Sequence, residues 1–571
     1  MSEGPIKKIK PKPHFVAILL LTALTLLMTL PGLANLPVID RDEARFATAS
    51  VQMAENGDYV SIRFQDEARN KKPVGVYWAQ TLMIKIFSDK GERRLWAQRL
   101  PSVFAAVLAV LATYWAAIPM IGRRGGLIAG AILAISALFV FEGHIAKTDA
   151  LLCAMGTLVF ASIAHLRAGG GLLFSFLFWI ALGLAVMIKG PVIPAIVILT
   201  IVSLWVWEKD VAWVKRLFFW PGPLLFLLIV LPWTILIFQA TDGQFFKDAL
   251  IGDFGKKLAG AQENHGAPPG AYLATLPIAF WPASLFLLPG FAFAFRALKG
   301  ARESVNPVVR AMRLCVCWTV PYWVILEIIP TKLPNYLLPI YPALAIMCAV
   351  SLLTLLSVKE FKVSRRLSAV LFVLISIILI TGLFIGESLY GAAPKWSYGP
   401  NFISLLLCFL AAFGLWTGRS KWTTGGVIAA AIVLQPFVYQ ITLPSLKSLH
   451  LADQVEASIT TQGIMLPRRG GPALYTPNFT EPSLVYRLGK NVILGDKIDV
   501  SNMQVGGVIL VDTNKADSKV FLNTVDENGV CSQQFKTIQG HNYSKGDPVK
   551  LVLFEIIPCA PEPVIYNSNA Q

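Results

Sequence analysis

Charge is what this chain has least of. Asp, Glu, Lys and Arg make up only 15% of its 571 residues, against roughly 25% in an average soluble domain, which excludes an ordinary soluble protein. The charge present leans one way, with 50 Lys and Arg against 34 Asp and Glu and a formal net charge of +16. Short loops on one side of membrane proteins collect Lys and Arg, so the surplus does not call for a nucleic-acid partner. Cysteine is scarce too. Five of the seven, Cys153, Cys315, Cys317, Cys348 and Cys408, lie in apolar runs and read as inert packing residues. Cys531 and Cys559 lie in the polar C-terminal region, where an oxidising compartment would permit a disulfide. There is no internal repeat and no low-complexity tract.

Apolar runs are what the chain has most of. It is 55% hydrophobic with a mean hydropathy of +0.60, and runs of about 18 residues suit a hydrocarbon layer of roughly 30 Å. Each such run must be helical, because lipid offers the backbone no hydrogen bonds. The expected class is a polytopic α-helical membrane protein with about thirteen transmembrane helices, from Phe15–Leu30 to Val427–Val438. The first run follows a basic segment but has no clear cleavage site, so it reads as a retained helix with a cytoplasmic N-terminus. The strongly basic loops then all fall on that side, as the positive-inside rule requires. Residues 1–440 form the membrane region, with long outer loops at 39–78 and 241–270. Residues 441–571 change to short β-branched and aromatic strands in ALYTPNFTEPSLVYRLG, GGVILVDT and VKLVLFEII, expected to form an outer domain, α/β or mainly β.

The 39–78 loop carries the chemistry. Asp40, Asp42 and Glu43 open an amphipathic pattern of Ala44, Ala47, Val51 and Ala54 that Asn56-Gly57 ends. Asp40 and Glu43 have capping-box spacing, which leaves Asp42 as a carboxylate in a first helical turn, with Arg45 a possible partner across that turn. Lys71-Lys72-Pro73 before Tyr77-Trp78 could be an interfacial anchor, but it lies on the outer side, against the usual bias. That makes Lys72 a candidate for a lipid phosphate. Asp149 begins a membrane span, where a carboxylate is costly unless it is paired or functional. Lys189, Lys332 and Tyr336 stand at other outer boundaries. Glu263 and His265 in the second loop could bind a metal, though two ligands are no signature. The spans hold few charges at their centres, unlike a transporter, which favours an enzyme working at the membrane surface.

The segments DEARFA, NGDYV, NKKPVGVYW, AKTDALL, MIKGPV and KLPNYLLPIYPALA, in this order, resemble the lipid A aminoarabinose transferases and the wider protein O-mannosyltransferase-like superfamily. TPNFTEPSLVYRLGK resembles the start of that family's periplasmic domain. The resemblance implies a GT-C glycosyltransferase of the bacterial inner membrane, moving a sugar from a polyprenyl-phosphate donor to a periplasmic acceptor. That acceptor would be lipid A or another lipopolysaccharide part, or alternatively a protein or another glycolipid. It places the catalytic carboxylate on Asp42, its neighbouring arginine on Arg45 and the second carboxylate on Asp149. It places the donor phosphate on Lys72, and from their outer boundary positions Lys189, Lys332 and Tyr336 are expected to help hold it. The family's glutamate before that lysine, linked to a divalent metal, is Lys71 here, and a second one is Thr48. No cofactor is therefore assigned.

Overall fold

The computed structural model describes residues 14–89, 92–209, 212–255, 266–299, 306–355, 362–391 and 394–559. Among them, nine helices are long and apolar enough to cross a membrane, and a bent pair, Ala271–Ala279 with Ala283–Arg296, would add a tenth. His14–Thr29 and Val192–Glu208 are shorter apolar helices. The chain is a multi-pass helical membrane protein, as its composition demands.

The 40-residue segment Leu95–Ala134 is not one rod. Gly122 takes φ 74°, outside the helical region, a conformation glycine adopts without a Cβ penalty. Along a continuous helix Tyr114 and Gly126 would stand about 18 Å apart. Instead a Cβ on Gly126 would fall 2.7 Å from the Tyr114 carbonyl oxygen. The segment is therefore a tight hairpin with its reversal beside Arg123 and Arg124, where the sequence places a cytoplasmic turn.

The C-terminal part builds a five-stranded mixed sheet. Leu474–Thr476 runs parallel to Val492–Leu494 and to Val508–Asp512, and Val508–Asp512 pairs antiparallel with Asp547–Ile556. Ser532–Asn542 closes the edge as an antiparallel neighbour of Asp547–Ile556. Val508–Asp512 is buried along its whole length, as a strand covered on both faces must be. Leu451–Thr461 and Pro482–Leu488 pack on one face, and Asp517–Glu527 covers the other. Part of the expected strand content is helix instead. The segment EPSLVYRLG becomes the helix Pro482–Leu488, because Pro482 at its first position presets the helical φ and gives up only a donor the first turn leaves unused. A disulfide joins Cys531 to Cys559, tying the start of one strand to the end of its partner.

Candidate active site

The helix Asp42–Asn56 organises the site. Gly57 ends it in the left-handed conformation, as expected of Asn-Gly. Ala44, Ala47 and Val51 are buried against Val38, Ile84 and Tyr486, while Phe46, Ala49 and Met53 form a second stripe against Tyr77 and Trp233. The helix is thus gripped on two sides, with its first turn left open.

That first turn is not held by a capping box. Asp40 accepts instead from the Ser483 amide at 2.9 Å, and the residue before the helix is Arg41 at φ 64°. Glu43 does reach back to the Ile39 amide (2.8 Å), but its main partner is Arg99, with both carboxylate oxygens accepting at 2.8 Å. Arg99 is 0% and Glu43 1% exposed. Arg99 also donates to the carbonyls of Leu33, Leu36 and Pro37, and Glu43 accepts from the Ala146 amide. One buried ion pair therefore fixes the loop before Asp42, the helix carrying it and the segment carrying Lys147. Sequence spacing hid this role, since 56 residues separate the partners.

Asp42 itself is accessible to solvent although protein surrounds it on most sides. Burial pushes its pKa up, but Lys147, Arg69 and Arg45 outweigh burial and the opposing charge of Asp149, and hold it below the usual carboxylate value. It is an exposed anion in a pocket of cations. Lys147 lies 3.1 Å from Glu142 and 3.4 Å from Asp149. Glu142 is buried, and burial raises its pKa to about 7 against the pull of Lys147. Lys189 donates to Asp149 at 2.6 Å, and its ammonium lies 5.2 Å from the centre of the Tyr336 ring. Asn335 lies beside Asp149 and helps to stabilise its charge. Asp42, Arg45, Asp149, Lys189 and Tyr336, from four separate stretches of chain, thus meet in one cluster.

Lys332 departs from expectation. Lys332 does not present a free ammonium, because it is 8% exposed and donates to the carbonyls of Leu326, Glu327 and Ile329 at 2.8–3.1 Å. These are carbonyls at the end of the helix Pro307–Ile328, so Lys332 caps that helix. Tyr77 is fully buried, and its hydroxyl accepts from Arg69 Nε at 3.2 Å, which agrees with setting aside an interfacial-anchor role. Lys72 is half-buried and Lys71 exposed, just ahead of the helix Gly75–Phe87. Glu263 and His265 lie outside the described residues. Among the described residues no three of His, Cys, Asp and Glu group as metal ligands, and a lysine stands where a liganding glutamate would be needed, so no step is routed through a metal. The sequence gives Glu43 only a capping role, places Lys147 beside Asp149 in EGHIAKTD, and singles out neither Arg69 nor Arg99. The signal that could have found Arg69 is the DEAR tetrapeptide, present at both 42–45 and 66–69.

The C-terminal sheet region closes over this loop. Besides the Asp40–Ser483 contact, the Tyr543 hydroxyl accepts from the Asp40 amide at 2.6 Å, and Gln65 donates to the carbonyls of Lys490 and Val492. Burial and then the nearby Glu481 raise the Asp40 pKa from 3.8 to about 7, against Ser483 and Arg45. Lys545 and Tyr543 complete the charged and titratable surroundings. A carboxyl with a raised folded pKa stabilises fully below its unfolded value, and that contribution is lost as pH rises through the folded one. The dock is therefore expected to loosen between about pH 4 and 7. Hydrogen exchange at Ser483 should be faster at pH 8 than at pH 5 after correction for intrinsic rates, and Asp40→Asn should remove the difference.

Residues 71–236 match the family model described as dolichyl-phosphate-mannose-protein mannosyltransferase. The undecaprenyl phosphate-alpha-4-amino-4-deoxy-L-arabinose arabinosyl transferase of Erwinia tasmaniensis is 29% identical over 319 residues, 54% of each chain. The protein of the same name from Edwardsiella ictaluri is 29% identical over 387 residues, 66% of each chain. The matched region thus spans about half to two thirds of these relatives. The crystal structure of ArnT from Cupriavidus metallidurans in the apo state superposes with a TM-score of 0.71 at 17% identity, covering 95% of this chain and 98% of that one. The same protein bound to undecaprenyl phosphate gives 0.69. In fold this chain is a GT-C protein, and in sequence it resembles the lipid A aminoarabinose transferases.

Proposed function

We propose that this protein is a membrane glycosyltransferase of the bacterial inner membrane. It takes a sugar from a polyprenyl-phosphate donor and transfers it, with inversion, to lipid A on the periplasmic side. The observation that carries this reading is the accessible Asp42, held anionic among Lys147, Arg69 and Arg45 beside the Asp149–Lys189 pair. The relatives' names, and an undecaprenyl phosphate bound by a protein of the same fold, support the choice of donor. The proposed topology has thirteen crossings, a cytoplasmic N-terminus and residues 441–571 in the periplasm. The Cys531–Cys559 disulfide supports the last point, because such bonds persist in oxidising compartments.

In the proposed reaction the bond from the sugar's anomeric carbon to the phosphate oxygen breaks, and its electron pair stays on the phosphate. Lys72 and Lys189 stabilise that charge, with Asp149 and Tyr336 setting the position of Lys189. An acceptor oxygen forms the new bond to the anomeric carbon. Asp42 faces the positive charge that develops on the sugar. A carboxylate whose pKa is held down is a poor proton acceptor, so this site suits an acceptor oxygen that is already ionised, such as a lipid A phosphate, better than a hydroxyl. Lys332, already capping a helix, takes no part.

Mass spectrometry of lipid A from cells with and without the gene tests the reading. The expected difference is a sugar-sized mass on lipid A phosphate that appears only with the gene. Unchanged lipid A together with altered glycoproteins would move the acceptor to protein.

A further inference from the structure

Burying a cation is costly unless an anion accompanies it. Four cationic side chains among the described residues are buried: Arg69, Arg99, Arg313 and Lys332. Arg99 pairs with Glu43 at 2.8 Å, Arg313 with Glu208 at 3.6 Å and Lys332 with Glu327 at 4.0 Å. Arg69, 8% exposed, has no carboxylate within ion-pair distance among the described residues.

It is nevertheless held in place. Its Nε donates to the buried Tyr77 hydroxyl at 3.2 Å, and its guanidinium lies 5.0 Å from the centre of the Phe46 ring. Phe46 and Tyr77 themselves pack at 5.2 Å. The next residue, Asn70, donates to Asp248 of the second long loop at 2.9 Å. The arginine is thus preorganised before any ligand arrives. Asp42 is near enough for Arg69 to lower its pKa, yet too far to form a pair. Two neighbouring lysines are committed elsewhere, Lys147 to Glu142 and Asp149, and Lys189 to Asp149. Uncommitted positive charge therefore sits on the Arg69 side of Asp42.

We propose that Arg69 is an anion-binding residue of the reaction site, taking a second anionic group, phosphate or carboxylate, besides the phosphate of the polyprenyl donor. A planar guanidinium fixed through Nε keeps its terminal nitrogens for a forked contact with such a group. The group comes either from a phosphorylated acceptor or from an acidic sugar on the donor. This inference rests on the glycosyltransferase reading above.

The test uses the full-length protein in lipid nanodiscs, saturated with undecaprenyl phosphate, with inorganic phosphate and glucuronate as separate probes. Thermal stabilisation by at least one probe is expected in the wild type, lost in Arg69→Gln and largely kept in Arg69→Lys. A response to phosphate points to the acceptor, and a response to glucuronate to an acidic sugar. Equal responses in wild type and Arg69→Gln would overturn the proposal, as would loss of undecaprenyl phosphate binding itself in Arg69→Gln. Failure of the wild type to bind undecaprenyl phosphate would instead overturn the donor assignment. Should Arg69→Gln not fold, retained stabilisation in a Tyr77→Phe protein of weakened anion affinity supports the proposal, and unchanged affinity contradicts it.

Discussion

Asp42→Asn is expected to lower the proposed sugar transfer by about 10²–10³-fold while the protein stays folded. The substitution keeps the size of the side chain and removes only its charge. Asp42 is accessible and stands in the first turn of its helix, so its loss leaves no buried partner stranded and should change stability by less than about 1 kcal/mol. The cost falls on the reaction, because fixed charges aimed at developing charge are worth roughly 10²–10³ each in enclosed sites. Asp42 is surrounded by Lys147, Arg69 and Arg45, which keep it ionised. Its charge is therefore available across the whole physiological range, and the wild-type rate should show no acid limb from this residue near neutral pH. A fall in kcat with little change in KM is the expected pattern for an interaction made mainly in the transition state. Retention of more than about a tenth of wild-type kcat would remove Asp42 from the chemistry.

The second large effect concerns stability. Glu43→Ala strands Arg99, which is fully buried, and leaves the Ala146 and Ile39 amides without their acceptor. Breaking a buried ion pair from one side costs about 3–5 kcal/mol, whereas removing both charges costs much less. The double substitution Glu43→Met with Arg99→Met should therefore be more stable than Glu43→Ala alone, measured as thermal midpoints of purified protein in nanodiscs. The same pair fixes both the chain before Asp42 and the chain before Lys147, so Glu43→Ala should also lose activity at temperatures where it remains folded. A Glu43→Ala midpoint indistinguishable from wild type would contradict the role given to this pair.

How much of this was legible depended on the range of each interaction. The membrane helices, the amphipathic helix ending at Gly57 and the place of Asp42 in its first turn follow from local patterns of charge and hydrophobicity. That Asp149 is paired or functional follows from the cost of a carboxylate at a span end, but its partner Lys189 is shown only by the fold. The Glu43–Arg99 pair could not be read, because Glu43 fits a local capping spacing equally well and Arg99 looks like one more boundary charge in LWAQRLPS. Lys332 failed for a related reason: the sequence shows a cation at an outer boundary, but not that the end of the preceding helix offers it three carbonyls. Arg69 was hidden by its surroundings in a polar loop, where nothing signals that Tyr77 and Phe46 bury it.

The central claim, that the protein consumes a lipid-linked sugar at Asp42 rather than carrying it, is tested most directly by reconstitution. Purified protein in liposomes would receive an undecaprenyl-phosphate-linked sugar, with or without lipid A, and released undecaprenyl phosphate would be measured. Release that requires lipid A and disappears in Asp42→Asn is the predicted result. Movement of intact donor between leaflets, with no undecaprenyl phosphate released when lipid A is present, would contradict it.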